Sequence, residues 1–502
     1  MGNGVLARFR PSLLAWNGPL IGGLGVMLAL IAGLLLAVLP LPELLVLFIL
    51  LSLTVATLAE PLVGVAAGIF FGLLRAYLQA EVPQVPAQAG HLFIALAVAA
   101  WLAHGLARRD LRLLPPLSAA DVPSGYHAAS AQRATALALL GFIGLAWVSL
   151  WNAVDLANYG LPEFAKWIEI LLVFLLVADR ARPRHLPWLI GAVALVGLFQ
   201  AGVGLYQSLL RGEGPEHFLI PGTHVYRAYG TFEQPNPYAG TVGMILALMV
   251  GVAASRLWDR VTGNRVVASP CLRIAALLAI SAMGAALVVS WSRGAWLGFA
   301  AALAVMALAL PRKARWGVLL VVTLAIVALA LYTTGLLPAP VAARLTGFVA
   351  DLRLEDVRGV GINDANYAVI ERLAHWQSAL EMWRSHFWTG VGLGCYEAAY
   401  PRFALINWPI ALGHAHNIYL NLLAETGLPG LLAYLVFWGV VFGQTWRATR
   451  RADGLTRGVA IGLLGAWTQL SVHHLLDNLY VNNVHLLIAL LLGLLATTDD
   501  RR

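Results

Sequence analysis

The chain is predicted to be an all-α polytopic membrane bundle, and three observations lead there. Of its 502 residues 60% are hydrophobic and only 12% are charged, with a mean hydropathy of +0.77. A soluble domain carries about twice that share of charge. Apolar runs close to the roughly 20 residues needed to cross about 30 Å of hydrocarbon recur along the chain. Basic residues cluster after every second run, as they do when successive helices cross in alternate directions.

The apolar runs lie near 18–39, 42–59, 61–79, 91–107, 134–151, 163–179, 186–210, 237–255, 273–291, 294–311, 316–337, 417–446, 458–474 and 480–497, a count of 12 to 14 transmembrane helices. The first follows Arg8 and Arg10 but is too long for a signal-peptide core, so it is read as a membrane helix. With the N-terminus inside, 22 of the 33 Lys and Arg fall on the cytoplasmic side, around Arg108, Arg180, Arg256, Arg312, Arg450 and the two tails. This places both termini inside. The formal net charge of +8 then belongs to basic loops and does not indicate a nucleic-acid surface. The only two cysteines, Cys271 and Cys395, fall on opposite sides, which excludes a disulfide framework.

The runs divide the chain into N-terminal helices (1–210), central helices (211–337), an outer loop (338–416) and C-terminal helices (417–502), all within one membrane domain. The outer loop far exceeds an ordinary connection, and long loops are usually functional or disordered. Within it, Tyr367 to His386 reads as an amphipathic helix, with Ile370, Leu373, Ala374, Trp376, Leu380 and Trp383 at helical spacing.

The densest chemistry lies at the outer mouth of the run that begins near 417. Gly413-His414-Ala415-His416-Asn417 leads into Asn421, Glu425 and Gly427-Leu428-Pro429-Gly430. A neutral histidine there is a candidate base for an attacking hydroxyl, with His416 and His414 competing for the role. Asp477, with His473 and His474, sits at the outer end of the thirteenth run as a further candidate for the same cavity. Arginines suit phosphate, because the planar guanidinium pairs with its oxygens and stays charged when partly desolvated. Arg211, Arg344, Arg353, Arg358, Arg384 and Arg402 are read as solvated loop charge. No metal site is expected: the outer side has no Asp-x-Asp, and His414 and His416 are two residues apart, where i and i+4 share a helical face.

His416-Asn417, nine residues, then Gly427-Leu428-Pro429-Gly430 resembles the histidine motif of O-antigen ligases and bacterial protein O-oligosaccharyltransferases. Three further segments are similar to the same family. They are Arg293 to Leu297 (an Arg-x-x-x-Leu element), Arg372 followed by the glycine turn Gly390 to Gly394, and Arg227 to Pro237. The resemblance covers about 225 to 495 and implies a GT-C-like fold. It also implies a metal-independent glycosyltransferase without cofactor, at the periplasmic face of a bacterial inner membrane. The implied donor is a glycan on undecaprenyl diphosphate. The acceptor is a lipid A-core in lipopolysaccharide biosynthesis (ligase), a second lipid-linked glycan (polymerase) or a protein serine. By the same resemblance His416, Arg293 and Arg372 are catalytic, while Arg227 and Asn417 bind substrate; His414 and Asp477 are added as substrate-binding candidates by their position. The rival reading from another class is a transporter, which calls for ionisable residues at mid-depth. Glu169 is one of few candidates.

Overall fold

The computed structural model describes residues 40–82, 84–111, 126–220, 223–261, 270–347, 356–363 and 366–498. The first expected helix, 18–39, lies outside the described residues, as do parts of the outer loop. The chain clusters into Met1–Val55 and Ala56–Arg502. Of the former only the start of helix α1 (Leu41–Ala59) is described, and it is apolar and largely exposed.

Among the described residues there is no strand, only an isolated antiparallel bridge between Leu219 and Tyr226. The helices after α1 are α2 (Pro61–Leu73), α3 (Arg75–Glu81), α4 (Ala89–Arg108), α5 (Tyr126–Ser149), α6 (Leu161–Arg180), α7 (Leu186–Leu205), α8 (Pro235–Val261) and α9 (Pro270–Val289). Then come α10 (Arg293–Ala309), α11 (Ala314–Thr333), α12 (Ala339–Thr346), α13 (Tyr367–Ser385), α14 (Tyr396–Ala399), α15 (Ile418–Arg451), α16 (Gly454–His473) and α17 (Val484–Thr497).

Every apolar run predicted from 42–59 onward is helical. The spanning count is lower by length and composition: seven described helices qualify, or eight when α2 and α3, bent by 65°, form one broken span. The difference has two physical sources. The apolar stretches Arg273–Val289, Arg293–Ala309 and Val484–Thr497 are short. Helix α6 carries too many charges, Glu163, Lys166, Glu169 and Asp179, and α16 mixes Arg457, Gln469 and His473 with its apolar residues.

The core of the second unit is a stack in which α16 lies between α8, α10 and α15. Small residues set that packing. A Cβ on Gly251 of α8 would fall 2.3 Å from the Cα of Gly462 on α16, so the two backbones touch there. Helix α13 lies against α15. It fulfils the expected amphipathic helix, but its buried face is partly polar: His375 and Ser378 are enclosed with Ile370, Leu373 and Met382, while Trp376 and Trp383 are half-buried.

Candidate active site

The histidine segment is held by one face of α15. Asn417 caps that helix, its Oδ1 accepting from the N–H of Tyr419 (3.0 Å) and Leu420 (3.1 Å). One turn on, Asn421 Oδ1 accepts from Ala415 N–H (3.0 Å). A further turn on, buried Glu425 accepts from Tyr396 N–H (3.2 Å). The helix then breaks at Gly427 (φ 68°), where a Cβ would meet the Trp388 backbone at 2.5 Å. The break frees carbonyls for the glycine turn. Val391 N–H donates to Ala424 O (2.9 Å) and Gly392 N–H to Glu425 O (3.0 Å). The spacing of the histidine motif is thus the spacing of a cap, two ties and a break.

His416 adopts φ 51°, an uncommon left-handed conformation for a residue with a side chain. Its Nδ1 lies 3.5 Å from Asp477 Oδ1, and His414 Nε2 lies 3.7 Å from the same oxygen. Burial and then His416 push the His414 pKa down to about 3. Burial would raise the Asp477 pKa, but His416, His414 and Arg372 outweigh it and hold the carboxyl well below the usual range. His375 on α13 completes the cluster, its ring 5.7 Å from that of His416, with its pKa pushed down to about 4 by burial, His416 and Arg372.

The ligand atoms of His414, His416 and Asp477 all lie within 4.8 Å of one another, a spread compatible with a metal ion. The hydrogen bonding does not favour one. His414 Nδ1 accepts from His416 N–H (3.1 Å), which leaves the ring proton on Nε2, the atom that would have to ligate. The same assignment points that N–H at Asp477. Asp477 also lies 3.5 Å from His416 Nδ1, so a proton on that nitrogen would face the carboxylate and leave Nε2 unprotonated.

The arginines converge separately. Gln200 and Gln207 pin the upstream loop: Gln207 Oε1 accepts from Gly230 N–H (2.8 Å) and Gln200 Nε2 donates to Thr231 Oγ1 (2.6 Å). This aims Arg227 at the hinge between α9 and α10, where its Nε donates to Ser290 O (3.0 Å) and its guanidinium to Asn236 Oδ1 (3.3 Å). Arg372 on α13 donates to Leu476 O (3.1 Å), next to Asp477. Arg344 on α12 donates to Trp291 O (3.3 Å).

Arg227, Arg293, Arg344 and Arg372 line one cavity of about 430 Å³, together with Asn236, Gly294, Leu297, Trp376, Asn417 and His473. Arg293 and Leu297 share that wall because they are four residues apart on α10. Burial, then Arg372 and Arg293, push the Arg227 pKa down to about 10, while burial and the other three arginines push that of Arg344 down to about 9. Among the described residues no ion pair joins Arg227, Arg344 or Arg372 to a carboxylate.

The expected site residues therefore form two adjoining groups. Arg227, Arg293, Arg372 and Asn417 line the cavity. His416, His414 and Asp477 lie outside its lining, joined to it through Asn417 and through the Arg372 contact at Leu476. Arg344, read from sequence as solvated charge, belongs to the cavity wall. Its signal is tertiary, since no sequence motif marks it. His473 also lines the cavity. Trp376 lines the cavity, whereas Trp388 is exposed and Trp408 is buried.

Residues 274–435 match a protein-family model described as O-Antigen ligase. No curated protein matches the chain. The matched stretch contains Arg293, Arg344, Arg372, the glycine turn and the His416–Gly430 motif, whereas Arg227, His473 and Asp477 lie outside it. The chain is thus a polytopic helical membrane protein in which residues 274–435 match the O-antigen ligase family model.

Proposed function

We propose that the protein transfers a glycan from a polyprenyl diphosphate to an acceptor hydroxyl at the extracytoplasmic face of a bacterial inner membrane, as an O-antigen ligase acting on a lipid A-core. The observation that carries this reading is the convergence of four arginines on one cavity beside a His-Asp-His cluster. A diphosphate supplies the negative charge that the cavity lacks.

In this reading the acceptor oxygen attacks the anomeric carbon and its proton passes to His416 Nε2. The bond from the anomeric carbon to the phosphate oxygen breaks, and the electron pair leaves with the lipid diphosphate. That group gains one negative charge in the step. Arg293 and Arg372, with Arg227 and Arg344, stabilise this growing charge, which is electrostatic catalysis. Asp477 holds the His416 ring and stabilises its imidazolium, so it acts through the histidine. Asn417 fixes the start of α15 and hence the position of His416. The chemistry calls on neither a nucleotide nor a metal.

The test is transfer in lipid with purified protein, an undecaprenyl-diphosphate glycan and lipid A-core, run with chelator and without ATP. Wild type forms conjugate, while folded His416→Ala and Arg293→Ala variants lose it. Lengthening of the donor glycan without lipid A-core would reassign the protein as a polymerase. No transfer to any acceptor, or full activity in both variants, would sink the mechanism.

One observation favours the transporter reading. Glu169 on α6 is flanked by His91 Nδ1 at 2.8 Å and His485 Nε2 at 2.9 Å, an ionisable trio among apolar helices. Proton flux in liposomes that is lost in Glu169→Gln, with no transfer activity, would select it.

A further inference from the structure

His473, the last residue of α16, lines the cavity. It is 1% exposed and lines the wall beside Gly294. The fit is close. A Cβ on Gly294 would meet His473 Nε2 at 2.9 Å, and one on Gly240 would meet Nδ1 at 3.0 Å. Nδ1 is buried without a hydrogen-bond partner. A proton there would be a buried, unsatisfied donor costing about 1–3 kcal/mol. The neutral ring therefore carries its proton on Nε2, on the Gly294 side.

Gly294 stands in the first turn of α10, a helix of 17 residues. Its N-cap, Ser292, makes no side-chain capping bond, and its hydroxyl donates to Asn236 Oδ1 (2.9 Å). The first bond of the helix runs from Trp296 N–H to Ser292 O (3.0 Å). Among the described residues no acceptor meets the Gly294 N–H, and this open turn, at the positive end of the helix, faces the cavity.

We propose that His473 contacts the donor directly: its Nε2–H and the Gly294 N–H together bind one phosphate of the lipid diphosphate, next to the Arg293 guanidinium. This rests on the donor class proposed above and adds a subsite to it. His473 is then a hydrogen-bond donor to the leaving group, while His416 is the base. The two histidines divide the proton chemistry, since a ring protonated on its open nitrogen can donate but cannot accept. The subsite also gives a reason for glycine after Arg293: any side chain there would displace the imidazole.

The experiment measures binding of undecaprenyl diphosphate and of uncharged undecaprenol to purified protein in lipid nanodiscs, in chelator. Wild type, His473→Phe and His473→Gln are compared. Phe keeps a flat ring without the N–H, and Gln restores an N–H on a smaller side chain. The expected result is diphosphate binding about tenfold weaker in Phe and partly recovered in Gln, with undecaprenol binding unchanged in both. In transfer, Phe should lower kcat more than it raises KM, because the charge on the leaving group grows toward the transition state. Unchanged diphosphate binding in both variants overturns the subsite. So does a parallel fall for undecaprenol, which marks a packing role. If the Phe variant does not fold, the Gln variant decides by the same two ligands. Wild type that binds no diphosphate overturns the donor class itself, a result distinct from variants that bind as wild type does.

Discussion

Replacing Arg344 with Gln should make the empty protein more stable and the donor bind less well. Arg344 shares its cavity with three other arginines. Burial, with Arg293, Arg227 and Arg372, lowers its pKa from an ordinary 12.5 to about 9. At about 1.4 kcal/mol for each pH unit, a fall of that size corresponds to roughly 5 kcal/mol against the charged form. The cavity admits water, so screening reduces this to about 2 kcal/mol. The sign follows from linkage: a base whose pKa is depressed on folding is charged at less cost in the unfolded chain, so below that pKa its charge opposes folding. An uncharged Gln removes the opposition. For a chain of this length the apparent unfolding midpoint should rise by about 2–4 °C. Donor binding moves the other way, since losing a charge-assisted hydrogen bond of about 1.5–3 kcal/mol weakens affinity by roughly ten- to a hundredfold. The assay is tryptophan-monitored unfolding of wild type and Arg344→Gln, alone and with saturating undecaprenyl diphosphate. Without ligand the variant melts higher, and with ligand the order reverses or the gap closes. A variant that melts lower and binds donor normally would refute the reasoning and leave Arg344 as a tether to the Trp291 carbonyl.

Acidification should destabilise the protein between about pH 6.5 and pH 3. His414 and His375 have pKa values depressed to about 3 and about 4, so the unfolded chain takes up protons that the fold excludes. The stability that depends on them is present above the ordinary histidine value and is lost as pH falls, and His375→Gln should flatten the midpoint-against-pH curve. Gly427→Ala places a Cβ against the Trp388 backbone at φ 68° and should cost more than about 2 kcal/mol, read as a lower midpoint or loss of folded protein. Asn417→Ala removes the cap of α15 and should cost about 1 kcal/mol, with transfer falling further than stability because His416 loses its anchor. Equal falls in both would confine Asn417 to the cap.

The helices were legible because lipid imposes a simple code, in which apolar runs of sufficient length are interrupted by charge. That code reads composition, so it overcounts where short helices such as Val484–Thr497 are apolar yet shorter than a bilayer crossing. It does not register the bend between α2 and α3, which depends on packing. The histidine motif was legible as a spacing, and its cause became visible only in three dimensions, as ties from Asn421 and Glu425 to the loop. Arg293 and Arg372 stand out by motif. Arg344 has no motif and gains its place from α12 folding back on the hinge at Trp291. His473 was noted as a helix-end residue, but its exposure to the cavity follows from glycines on two other helices.

The arrangement of charges ties these residues together. A membrane bundle gains nothing in stability from gathering arginines such as Arg227, Arg344 and Arg372, which donate to the neutral oxygens Ser290 O, Trp291 O and Leu476 O. Stability alone would place carboxylates among them, as it places Asp453 beside Arg312 at a distant helix end. A buried acid nearby, Asp477, stands 3.5 Å from His416 Nδ1 and 3.7 Å from His414 Nε2, and among the described residues no ion pair balances Arg227, Arg344 or Arg372. Such a cavity is more favourable filled by an anion than empty, and its energy is available to a ligand whose negative charge increases during reaction. A leaving diphosphate is such a ligand. The same imbalance that weakens the resting fold would then lower the barrier, and for this reason the stability and binding effects of Arg344→Gln must have opposite signs if the cavity serves catalysis.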